Sequence, residues 1–128
     1  MLTTEEFTAI AGAKSEEERQ VLCTVYNINY ETFLRLWPIE QFGRDVLAGN
    51  MILLKIEHTF QSNLACFDLE GKSSSVTHSL MITYAAPGLN FVQPEYHKSM
   101  ESMIEVNWLD MTPSLERAIH ETLAPRRR

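Results

Sequence analysis

Between Met51 and Tyr84 the chain carries an apolar stretch broken only by short polar segments. Met51, Ile52, Leu53, Leu54 and Ile56 open it, Leu64 to Leu69 continue it, and Val76, Leu80, Ile82 and Tyr84 recur at even spacing. Successive side chains of a strand point to opposite faces, so a period of two marks strands with one buried face. Gln61-Ser62-Asn63 and the segment from Glu70 to Ser75 act as turn signals, which predicts three strands paired as an antiparallel meander. The flanks read as helix. The expected fold class is therefore α+β, with short N-terminal helices, a central antiparallel β-meander and a C-terminal helix.

The flanking helices are marked by their ends. Thr3 with Glu6 fits a capping box and predicts a helix from Thr4 to Ala11, stopped by Gly12. Ser15 with Glu18 repeats the device, with Val21, Leu22 and Val25 as the apolar face of a second helix. Asn27-Ile28-Asn29 breaks the pattern, since Asn tolerates the left-handed conformation and caps helices. A third helix is expected from Tyr30 to Trp37, ended by Pro38 or followed there by a new helix that runs to Gly49-Asn50. Beyond the meander, Ala86-Pro87-Gly88 reads as a turn, Asn90 to Val92 as a short strand, Glu95 to Ser102 as a helix and Met103 to Leu109 as a strand. Thr112 is the expected cap of a last helix that starts at Pro113 and presents Leu115, Ile119 and Leu123.

A chain of 128 residues suits one domain, here expected over residues 1–125, with a basic tail at 126–128. The net charge of −6 disfavours non-specific attraction to nucleic acid or anionic membranes. The N-terminus lacks a signal-peptide pattern, and no apolar run approaches the ~20 residues that cross a bilayer. Cys23 and Cys66 sit in apolar surroundings without CxxC spacing, as free thiols of a reducing compartment do. The expected location is the cytoplasm.

Arg19 to Trp37 resembles a helix-turn-helix unit, with Leu22, Tyr26, Ile28, Phe33 and Leu36 as apolar positions, Cys23 as the small contact and Asn27 as the turn. Its outward positions are Glu31, Thr32, Leu34 and Arg35, so Thr32 and Arg35 are the nucleic-acid contacts if the unit binds DNA. Arg35 alone would grip phosphate, with Glu31 opposing it, and plain helical packing explains the same pattern. A meander with turns at the predicted places puts His58 opposite Cys66 and Cys66 opposite Ser79, the arrangement of a cysteine-dependent enzyme. Buried Cys is more often an inert small hydrophobe. No nucleotide, esterase or zincin motif is present, and His58, His78, His97 and His120 show no metal-ligand spacing. No catalytic residue, cofactor or metal is expected.

Large apolar residues remain outside the obvious core, at Trp37, Phe42, Phe91, Tyr96, Met100, Met103, Trp108 and Met111. Phe91, Tyr96, Met100, Met103 and Trp108 fall in one segment, and aromatic and Met side chains are enriched where proteins touch. Glu16, Glu17 and Glu18 add an acidic surface suited to a basic partner. The leading expectation is a small acidic, non-catalytic interaction protein, a regulator, inhibitor or adaptor, that binds a protein partner or forms a homodimer through these residues. DNA binding through residues 19–37 is the alternative, and a small cysteine enzyme a more distant one.

Overall fold

The structure, a computed structural model, describes residues 2–63 and 75–123, with side chains described except at 60–63, 75–77 and 90. It has the α+β architecture expected, with N-terminal helices, an antiparallel sheet and a C-terminal helix. Contacts divide the chain into two compact units. Met1–Met51 with Met111–Arg128 form a helical unit, and Ile52–Asp110, inserted between them, forms a sheet unit. No helix among the described residues is long and apolar enough to cross a membrane.

The helical unit contains α1 (Thr4–Ala11), α2 (Glu16–Val25), α3 (Tyr30–Leu47) and α5 (Pro113–Leu123). Its starts follow the side-chain caps. Thr3 and Glu6 complete a capping box, Ser15 accepts from the Glu18 N–H at 3.1 Å, and Asn29 accepts from the Glu31 N–H at 2.8 Å. Two helix ends are paired Schellman bonds. After α2 the amides of Ile28 and Asn27 donate to the carbonyls of Cys23 and Thr24; after α3 those of Asn50 and Gly49 donate to Asp45 and Val46. The motif needs a left-handed residue, supplied by Asn27 (φ 58°) and Gly49 (φ 83°).

Two expectations for these helices are corrected. Pro38 neither stops α3 nor starts a new helix, because α3 runs through it to Leu47. Proline removes the donor for the Leu34 carbonyl, but Pro38 and Leu34 both lie on the exposed side of α3, where losing one backbone bond costs least. The buried face of α2 is not Val21 and Val25, which are exposed; the helix is turned so that Cys23 is buried, with Leu22 and Tyr26 beside it. Leu2, Phe7, Ile10, Cys23, Phe33 and Leu36 form one buried cluster, in which the rings of Phe7, Phe33 and Trp37 lie with centroids 6.0–6.2 Å apart. Phe42, expected outside the core, is buried as well, because it falls on the inward side of α3.

In the sheet unit β1 (Ile52–Asn63), β2 (Ser75–Ala85) and β3 (Ser102–Asn107) form an antiparallel sheet in the order β1-β2-β3. Gln61, Ser62 and Asn63 are not a turn. They continue β1 and pair with Thr77, Val76 and Ser75, which is possible because the triplet holds no Gly or Pro to force the chain round. The expected strand Leu64 to Leu69 lies outside the described residues. Ile56, Ile82 and Ile104 line up across the three strands, as do His58, Leu80 and Val106, so these share one face, where Leu80, Ile82 and Val106 are buried.

From β2 to β3 the chain is a turn and short helical pieces. Gly88 adopts φ 96°, and the segment Leu89–Phe91 is a 3₁₀ turn where a strand was expected, because the left-handed step folds the chain back before extended pairing can begin. A 3₁₀ turn at Pro94–Tyr96 leads into α4 (His97–Met100), and the strand that follows spans Ser102–Asn107 before a last 3₁₀ turn at Trp108–Asp110.

At Gly43 α3 approaches α5 backbone to backbone, since a Cβ there would lie 2.2 Å from the Leu115 amide nitrogen. Backbone of another helix has no rotamer by which to yield. Gly43→Ala is therefore expected to destabilise the protein by about 3 kcal/mol or more in urea denaturation.

Candidate functional site

The α3–α5 contact is built around a buried acid. Glu40 has no solvent exposure, and its Oε1 accepts the Ser114 N–H at 2.9 Å while its Oε2 accepts the Ser114 hydroxyl at 2.5 Å. The same Oε2 accepts from Arg44 Nε at 3.0 Å. Arg44 also donates to the Thr4 carbonyl at 2.9 Å and lies over the Trp37 ring, 5.0 Å from its centroid. Both oxygens of the acid thus accept from a donor on α5 or on its own helix, three hydrogen bonds in all, which offsets the cost of burying it.

This arrangement corrects the expected cap of α5. The Thr112 carbonyl does accept from the Glu116 N–H, as a cap residue's should, but the Thr112 hydroxyl is buried and unpartnered. Glu40 takes the side-chain capping role, placing a carboxylate against the first turn of α5, where the exposed amides and the helix dipole favour negative charge. An open groove beside it is lined by Thr4, Arg44, Leu47, Ala48, Pro113, Ser114 and Arg117. Arg44 and Arg117 already bond Glu40 and Glu121 there.

The expected partner-binding residues are solvent-facing. Phe91 is 94% exposed, Met103 61%, Tyr96 and Trp108 56% and Met100 50%. Short 3₁₀ and α-helical turns carry most of them, and such segments have too few residues to present one face inward and another outward. Met100 also borders a small apolar notch of about 90 Å³, closed by Ala85, Pro87, Leu89 and Val92. Leu109, 84% exposed, belongs to the same set. It was missed because Met103 to Leu109 reads as one strand, whereas the strand ends at Asn107 and the Asn107 side chain turns the chain by accepting the Leu109 N–H. Glu16, Glu17 and Glu18 are exposed in the first turn of α2 and belong to the other unit.

The helix-turn-helix-like unit has the predicted joint. Leu22, Tyr26, Ile28, Phe33 and Leu36 all join one cluster with buried Cys23, and Asn27 supplies the left-handed turn. On the outer side of α3, Thr32 is half-buried, and Glu31, Leu34 and Arg35 are exposed.

The register does not support the thiol–imidazole arrangement. His58 pairs with Leu80, and Ser79 pairs with Thr59 on one side and Asn107 on the other; Cys66 lies outside the described residues. His58 instead meets a residue on the neighbouring strand. Its Nε2 is 3.1 Å from His78 Nδ1, the rings are stacked 5.3 Å apart, and the Trp108 ring lies 6.2 Å from that of His58. Among the described residues no group of three or more His, Cys, Asp or Glu side chains converges on one point.

With this geometry in hand, comparison with known proteins gives no relative: no family model, no curated protein and no solved structure matches the chain.

Cys23 is buried, and desolvation pushes its thiol pKa above the ordinary value, which lowers the fraction of reactive thiolate. In a Cys66→Ser variant, alkylation of Cys23 at neutral pH is expected to proceed only as fast as the helical unit opens, and to accelerate by orders of magnitude in denaturing urea. Mass-spectrometric timing of adduct formation reads this directly.

Proposed function

We propose that this chain is a small acidic, non-catalytic protein-interaction module of the cytoplasm, acting as a regulator, inhibitor or adaptor through the apolar segment from Phe91 to Leu109. The observation that carries the reading is exposure. Six large apolar side chains, Phe91, Tyr96, Met100, Met103, Trp108 and Leu109, are each at least half exposed within 19 residues of chain. Single exposed apolar residues are normal on a protein surface, but a concentration of aromatic and Met side chains marks contact sites, where they bury much area at small entropic cost. The notch beside Met100 offers a partner side chain somewhere to insert. The acidic run Glu16 to Glu18 suits a partner with a basic surface and acts on association rate more than on affinity. A second copy of the chain is one such partner.

A helix-turn-helix regulator is the second reading, favoured by the left-handed Asn27 between α2 and α3 and the buried Cys23 at their joint. Thr32 and Arg35 are its contact residues. The net charge of −6 weighs against it, since phosphate neutralisation supplies most of the affinity of DNA binders.

The test is capture of a partner with the purified chain in the presence of nuclease, followed by affinity measurement with variants. Met103→Asp and Trp108→Ala are each expected to weaken the captured protein complex at least 10-fold while leaving the melting temperature unchanged, and the same variants to disrupt a homodimer if the partner is a second copy. Neutralising Glu16 to Glu18 is expected to slow association and flatten its salt dependence. A complex that is lost with nuclease, and that weakens with Arg35→Ala but not with Met103→Asp, contradicts the reading and supports the DNA-binding one.

A further inference from the structure

His58 and His78 are twenty positions apart in sequence, a separation that carries no metal-ligand signal. The sheet brings them together. His58 sits opposite Leu80 and Phe60 opposite His78, so the two histidines are diagonal neighbours on the same face of the β1–β2 ladder. Both are exposed, and His58 Nε2 lies 3.1 Å from His78 Nδ1.

That spacing matches what one metal ion requires of two imidazoles. Two nitrogens each bound at ~2.05 Å stand about 3.3 Å apart round a tetrahedral ion and about 2.9 Å apart round a square-planar one. The observed separation lies between these values. In the metal-free pair one ring donates a proton to the other, and ligation replaces that shared proton with the cation. The rings are stacked, so aiming both lone pairs at one ion takes a turn about the last side-chain torsion, which is soft for His. The strands already hold the two backbones in place, so binding orders little else.

We propose that His58 and His78 form a surface site for a divalent first-row transition cation that prefers imidazole nitrogen, of the zinc, nickel or copper kind. Two protein ligands leave the remaining coordination positions to water or to a bound molecule, so the site is labile rather than structural. Hard cations such as Mg²⁺ and Ca²⁺ prefer oxygen ligands and are excluded by the donor set. Trp108, beside His58, is a built-in reporter, because a paramagnetic ion held by the pair quenches its emission.

Titration with Ni²⁺ or Cu²⁺, read by tryptophan emission, and with Zn²⁺, read by the histidine ring resonances in NMR, tests the proposal. Saturable one-to-one binding in the micromolar range is expected, with the ring signals of His58 and His78 shifting under Zn²⁺ and those of His97 and His120 unmoved. His58→Ala and His78→Gln are each expected to weaken binding at least 10-fold, whereas His97→Ala and His120→Ala leave it unchanged, with circular dichroism confirming that each variant is folded. Mg²⁺ and Ca²⁺ are expected to give no response. The proposal is overturned if there is no saturation below millimolar metal, if binding survives loss of either histidine, or if Zn²⁺ shifts other histidines instead.

Discussion

The buried carboxylate of Glu40 is the joint on which the helical unit depends. It satisfies the Ser114 amide and hydroxyl at the start of α5, and through Arg44 it reaches the Thr4 carbonyl on α1 and the face of Trp37. An isolated acid would be too costly to bury; here each oxygen has donors, and removing any partner leaves a desolvated group behind. The contact closes a loop of 74 residues, whose ordering costs roughly 4 kcal/mol by the logarithmic dependence of closure entropy on length. Apolar burial of Leu115, Ala118 and Ile119 contributes most of what offsets this. Glu40 decides where that apolar face docks. Gly43 then follows from geometry, since only a residue without Cβ lets the two backbones come this close.

The aromatic stack of Phe7, Phe33 and Trp37 and the α3–α5 contact give the helical unit its own interior. The inserted sheet unit buries Leu80, Ile82 and Val106 on one sheet face, and Leu89 from the connection after β2. Of the six exposed residues between Phe91 and Leu109, all but Met103, which is on β3, ride on turns of three or four residues, from which several must point outward. Fully burying a large apolar side chain such as Leu, Phe or Met is worth about 1.5–3 kcal/mol, so leaving six such residues half or more exposed is a substantial forgone stabilisation. The interaction reading gives that forgone stabilisation a purpose: it becomes available to a partner.

What was legible in the sequence was local. Thr3 with Glu6, Ser15 with Glu18, Asn29, Asn27 and Gly49-Asn50 announce helix ends because a cap acts within four or five residues of itself. Phe33 and Leu36 on α3 were likewise readable as core, as were the even spacing of β2 and the exposed aromatic and Met residues after it. Misreadings arose where a local rule was overridden. Pro38 sits inside α3 because tertiary packing on both sides of it continues the helix, and Gln61 to Asn63 extend β1 because their partners on β2 complete the ladder. Val21 and Val25 have helical spacing yet face solvent, since periodicity names a stripe without saying which stripe is inward. Glu40 with Ser114, and His58 with His78, were illegible for a stronger reason: each is a contact between distant positions, and nothing at either position alone marks its partner.

The most direct test of this account is a double-mutant cycle between Glu40→Gln and Ser114→Ala, read by urea denaturation. If Glu40 is the cap that docks α5 on α3, each substitution destabilises the protein and the two are coupled by about 1–3 kcal/mol, because the second removes a partner the first has already deprived of its role. Losses that add to within about 0.5 kcal/mol would show that the two residues act independently, and would contradict the claim that this bond organises the helical unit.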